Sequence, residues 1–192
     1  MSKTVAELQN TSNKDADNAI THTSQGRSAS SQTVVIHVCD EAKKRSQDFK
    51  CERGLLLWHM KYFDKYLANN KCLDDIAISV HCDIQIFEWL MSYVQNKNPN
   101  FEAKSAVSIL ISSDFLQMEP LVDESLQFLA ANLQTVVNLP IDMSCVNESL
   151  VKRLAPLVSL HTVEDLNDRK DKLRSQLYMK KLEAHLNEHP LN

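Results

Sequence analysis

The chain has 192 residues, 43% hydrophobic and 24% charged, with a net charge of -4. That is enough apolar material for a real core, and the acidic balance argues against nucleic acid as the main partner. Only Gly26 and Gly54 occur, so a phosphate loop, a dinucleotide fingerprint and a nucleophile elbow, which need closely spaced glycines, are excluded.

Thirteen of residues 1–32 are Ser, Thr or Asn and none is aromatic. Such a stretch cannot bury enough apolar surface to offset chain entropy, so a disordered N-terminal linker is predicted, with at most a transient helical turn at VAEL (5–8). Neither a secretory signal nor a membrane span is expected, because the first residues lack an apolar run and no run nears eighteen apolar residues. Order is predicted to begin at Thr33. TVVIHV (33–38) is a β-branched buried strand, DEAKKRSQD (40–48) a turn or hairpin, and FKCER (49–53) the returning strand. Lys43, Lys44 and Arg45 beside Asp40, Glu41 and Asp48 read as a solvated turn. His37, between Ile36 and Val38, reads as an outward or hydrogen-bonded side chain.

GLLLWHMKYFDKYL (54–67) has apolar residues at spacings of three and four and is a helix, bent at most once. It is apolar nearly all round, so it either sits deep in a core or presents a second face to a partner. DIAISV (75–80) alternates as a third strand. Asp83 is placed to cap a helix over 84–96 with Ile86, Trp89, Leu90 and Tyr93 on one stripe. Further helices are predicted at about 103–115, at 121–133 after Met118-Glu119-Pro120, and at 147–160, which Pro156 should kink or shorten. A last helix is predicted from a capping box at Thr162 and Asp165 to about Asn187, with its apolar line Leu166, Leu173, Leu177, Leu182 and Leu186 wide enough to dock. The five cysteines, without a C-x-x-C pair, read as reduced thiols in the cytosol or nucleus. His81, Cys82, Cys72, His185 and His189 match no zinc-finger spacing, so no metal is expected.

Three segments together resemble a BTB/POZ domain. F-K-C-E-R-G-L-L-L…K-Y-F (49–63) resembles the family's F-x-A-H-R-x-V-L-A…Y-F. I-F-E-W-L-M-S-Y-V (86–94) is similar to its F-x-x-L-L-x-Y-x-Y helix, and S-D-F-L-Q-M-E-P-L (113–121) to its A-D-F-L-Q-M-x-x-L turn. The resemblance implies an α+β fold: a short three-stranded sheet capped by helical hairpins, then a helical extension. The expected domains are a linker at 1–32, a BTB/POZ domain at 33–138 and the extension at 139–192.

No catalytic residue, cofactor or metal is implied. What is implied is a homodimer that binds corepressor proteins of histone deacetylase complexes, in the nucleus or nucleocytoplasm, with no membrane association and no direct nucleic-acid contact. Leu57, Trp58, His59, Met60 and Tyr62 are the candidates for the dimer interface and its groove, with Leu57 and His59 at the seam. Leu55, Leu56, Phe63 and Tyr66 read as ordinary core. Arg53 and Glu52 are the remnant of the family's charged pocket, whose Asp is replaced by Thr33. Arg53 is therefore expected to find Glu52, Asp40 or solvent. The helix after 54 and the helical tail are most similar to one member that restrains antibody class switching. The alternative is a substrate adaptor of a cullin-3 ubiquitin ligase. The tail helices favour that reading, but its hydrophobic-x-acidic element is missing, since Ala103 stands second after Phe101.

Overall fold

The computed structural model describes residues 5–8, 32–67, 77–168 and 173–188. Two compact units divide the chain, Met1–Lys97 and Asn98–Asn192.

In the first unit, β2 (Thr33–Asp40) and β3 (Arg45–Glu52) form a hairpin in register from Thr33 opposite Glu52 to Asp40 opposite Arg45. The turn at 41–44 ends on Lys44 in the left-handed region, with φ 52°. Along β2 the buried residues alternate (Val34, Ile36, Val38, Asp40), which is the period of a strand with one face on a core. β4 (Ala77–His81) runs parallel to β2 on its other side, from Val35 opposite Ala77 to Cys39 opposite His81. The predicted third strand thus continues to His81, while Asp75 and Ile76 lie outside the described residues.

The sheet has a fourth strand that the sequence reading does not give. β1 (Val5–Leu8) pairs antiparallel with the outer edge of β4, so the order is β1-β4-β2-β3. The VAEL segment is therefore extended and not a helical turn. Four residues cannot sustain a helix alone, whereas an open strand edge supplies backbone partners. The rest of the predicted linker, apart from Gln32, lies outside the described residues.

The long apolar segment is broken, as its bend suggested, into α1 (Arg53–His59), a single 3-10 turn at Lys61–Phe63 and α2 (Asp64–Leu67). The break falls at Met60, which leaves helical geometry with φ −115° and ψ 81°. Leu56, Met60, Phe63 and Leu67 point into the core. Next, α3 (Ile84–Val94) is capped as expected: the Asp83 carboxylate accepts the amides of Gln85 at 2.8 Å and Ile86 at 3.3 Å. Its inward face is Phe87, Leu90, Met91 and Val94. The predicted stripe is rotated, since Ile86, Trp89 and Tyr93 are only half-buried.

In the second unit, α4 (Ala103–Phe115) and α5 (Glu119–Ala131) pack together, joined by a turn in which Gln117 is left-handed with φ 56°. α6 (Leu133–Val137) and α7 (Glu148–Leu154) follow. Pro156 shortens α7, which passes into a 3-10 turn at Ala155–Leu157. The predicted last helix is two pieces, α8 (Leu160–Glu164) and α9 (Arg174–Glu188). Their caps are not the predicted box: Ser159 Oγ accepts the Thr162 amide at 3.0 Å, and Asp168 accepts the amides of Leu173 and Arg174 at 2.8 and 3.2 Å. Val107, Leu110, Leu126, Leu150, Leu154 and Leu177 belong to one core, so α4 and α5 share it with the extension.

Candidate interaction surface

β3 leads directly into α1 at Arg53, whose amide donates to the Gln32 carbonyl at 2.7 Å. The Arg53 guanidinium donates to Gln32 Oε1 at 3.0 Å and to the carbonyl of Leu67 at the end of α2. These two oxygens pin α1 to the chain before β2 and to α2. Glu52 is exposed, and Thr33 stands opposite it in the hairpin register. Asp40 is instead a buried carboxylate, accepting the Lys43 amide at 3.0 Å. His37 is both half-exposed and bonded, to Asp48 at 2.6 Å.

The five candidate interface residues differ in exposure, because α1 ends at His59 and the chain breaks at Met60. Trp58 is 74% exposed, the largest exposure among the described bulky apolar side chains. Lys61 Nζ sits 5.8 Å from its ring centroid, within cation–π reach. Leu57, His59 and Tyr62 are half-buried. Met60 is 0% exposed, so it belongs to the core of its own unit and offers nothing to a partner. It occupies the kink, where the loss of helical geometry turns the residue after His59 inward.

Two residues that the sequence reading left out of the site join this surface. His59 packs edge-on against Tyr93 with centroids 5.9 Å apart, and Tyr93 stacks on Trp89 at 6.1 Å with ring planes 10° apart. The signal available in the sequence is the pair of aromatic residues at i and i+4 on the stripe of α3. Burial lowers the His59 pKa, which keeps the imidazole neutral at neutral pH. Trp58, with Lys61 over its ring, and the His59–Tyr93–Trp89 rings thus give this unit aromatic surface suited to burying apolar area against another protein.

Among the described residues no group of three or more His, Cys, Asp or Glu is placed to hold a metal ion, and no helix is long and apolar enough to cross a membrane. Cys72 and His189 lie outside the described residues.

Residues 34–126 match the family model described as SANT and BTB domain regulator of CSR, BTB domain. The chain is also similar to the human (Homo sapiens) Zinc finger and BTB domain-containing protein 34, 26% identical over 96 residues. The match covers 50% of this chain and 18% of that relative's length.

Proposed function

Because residues 34–126 form a BTB domain, a protein-interaction domain in an α+β fold, we propose that the chain is a non-enzymatic module that homodimerises through the α1 surface. The observation that carries this reading is the 74% exposure of Trp58 beside half-buried Leu57, His59 and Tyr62. A tryptophan is among the costliest side chains to leave in water and among the commonest anchors of an interface. The dimer presents a groove, with Leu57 and His59 at its seam, to corepressor proteins of histone deacetylase complexes. The resemblance to the regulator of class-switch recombination extends this to a nuclear protein that restrains antibody class switching.

Light scattering after gel filtration tests the dimer. Twice the chain mass of 21.9 kDa, held through a hundredfold dilution, supports it. A wild-type monomer sinks it, and so does a Trp58→Arg variant that remains dimeric. A pulldown of histone deacetylase complexes, lost in the Trp58→Arg variant, tests the groove.

The second reading is a substrate adaptor of a cullin-3 ubiquitin ligase. It is favoured by the extension, whose α7 to α9 share one core with α4 and α5 and so form a continuous helical platform. Binding of purified cullin-3 to the chain, with no binding of deacetylase complexes, would reverse the order of the two readings.

A further inference from the structure

The helix α9 docks on the core of the C-terminal unit through its first half only. Leu177, and Leu173 just before the helix, are buried, whereas Tyr178, Leu182 and Leu186 are 46%, 43% and 49% exposed. These three recur at i, i+4 and i+8 and form one apolar stripe along the helix. Tyr178 and Leu182 line a half-open groove of about 660 Å³ together with Leu160 of α8, itself 48% exposed, and Pro156. Single exposed leucines are ordinary on a protein surface, but a stripe along a groove marks an interaction site. The size lies within the ~300–1,000 Å³ of ligand clefts, and the open side suits an elongated occupant.

The rim of the groove is basic. Lys152, Lys180 and Lys181 line it against a single carboxylate, Glu183. The unit around it is acidic, with nine Lys and Arg against thirteen Asp and Glu over residues 98–192. Lys180 is engaged inside the chain, 2.7 Å from Glu148 and 3.0 Å from Glu183. Among the described residues neither Lys152 nor Lys181 has a carboxylate within the 4.0 Å of an ion pair. Positive charge concentrated at one apolar groove of an acidic unit selects an acidic occupant. A second copy of the chain fits less well, because a two-fold contact at this groove sets its lysines against one another.

We propose that this groove docks an amphipathic helix of another protein, with aliphatic side chains along one face and Asp or Glu on both flanks. The aliphatic face inserts between α9 and the α7–α8 segment, and the flanking carboxylates meet Lys152 and Lys181. This is the helix-in-groove mode, in which anchors at i, i+4 and i+7 supply affinity and the rim supplies selectivity. The site uses residues of the C-terminal unit alone and does not depend on the Trp58 surface.

The test uses the full chain and two fluorescein-labelled helical peptides with the same leucine stripe, one flanked by Glu and one by Lys, read by fluorescence polarisation. The expected result is binding of the Glu-flanked peptide about tenfold or more tighter than its twin, weakening as salt rises. A double variant, Lys152→Glu with Lys181→Glu, should reverse that order. Leu182→Glu should weaken both peptides, and Trp58→Arg should leave both affinities unchanged. Equal binding of the twins overturns the proposal, as does no binding of the Glu-flanked peptide at millimolar concentration. It also falls if Trp58→Arg abolishes binding, or if Leu182→Glu converts a dimer to a monomer, which would make the occupant a second copy.

Discussion

Lys43 and Asp83, forty residues apart in sequence, meet at 2.7 Å. The lysine comes from the β2–β3 turn, and the aspartate caps α3, so one ion pair ties the hairpin tip to the start of the helix packed on the sheet. Burial alone would raise the Asp83 pKa, but the Lys43 ammonium and the amides of Ile86 and Gln85 outweigh it and hold the carboxyl below the ordinary value of 3.8. The carboxylate reciprocally raises the Lys43 pKa. Asp83 is depressed in the folded state, so its contribution is complete above pH 3.8 and disappears as pH falls through the lower folded value. Asp83→Ala should cost about 1 kcal/mol in urea unfolding at neutral pH, the usual loss of an N-cap. Asp83→Asn should cost less, because the amide oxygen still caps, and its stability should fall less steeply than that of the wild type under acid. An Asp83→Ala variant as stable as the wild type would show that the cap adds nothing.

What was legible in the sequence follows from how local its cause is. The β-branched run of β2, the Asp83 cap and the Pro156 stop are each set by a few neighbouring residues, and each lies where the sequence places it. β1 was not legible, because four residues become a strand only through the edge of β4, seventy residues further on. The contacts of Arg53 with Gln32 and with the Leu67 carbonyl were not legible either, because those residues are its neighbours only in three dimensions. The candidate surface was half legible. Trp58 stands out as an aromatic on an all-round apolar helix, but the kink that turns Met60 inward depends on packing and not on the helical period.

Trp58 and Met60 therefore make a diagnostic pair. Trp58→Ala removes little that is buried in one chain, and its effect on monomer stability should stay within about 0.5 kcal/mol. Any large effect should appear in the dilution dependence of the mass. Met60→Ala opens a cavity at a wholly buried site and should cost about 2–5 kcal/mol in chemical unfolding. Equal losses for the two variants would place Trp58 in the core and remove the interface assigned to it.

His59 gives the aromatic face a dependence on pH. Its pKa is lowered by burial from the ordinary 6.5, so the folded chain resists taking up the proton that the unfolded chain accepts. The contribution is fully present above pH 6.5 and is lost as pH falls below it toward the folded value. His59→Phe keeps the ring against Tyr93 and removes the titration. The melting temperature of the wild type should fall further than that of His59→Phe between pH 7.5 and pH 5.5, with carboxylates common to both proteins cancelling in the comparison. Parallel falls would show that His59 takes up its proton without penalty.

The thiols should separate by burial. Burial first, then the nearby charges of Asp83 and Asp40, push the Cys82 thiol up to about 12, and burial with the charge of Glu52 raises Cys51. The thiolate is the nucleophile, so a raised pKa and a covered sulfur suppress alkylation together. Cys39 is only half-buried, on the strand between Val38 and Asp40. Iodoacetamide at pH 8, mapped by mass spectrometry, should therefore label Cys39 well before Cys51 and Cys82 in the native chain. All three should react at similar rates in urea, where the burial that distinguishes them is gone. Early labelling of Cys82 in the native chain would mean that the β4–α3 junction opens on the timescale of the reaction, and that the Asp83 cap beside it holds less firmly than its geometry implies.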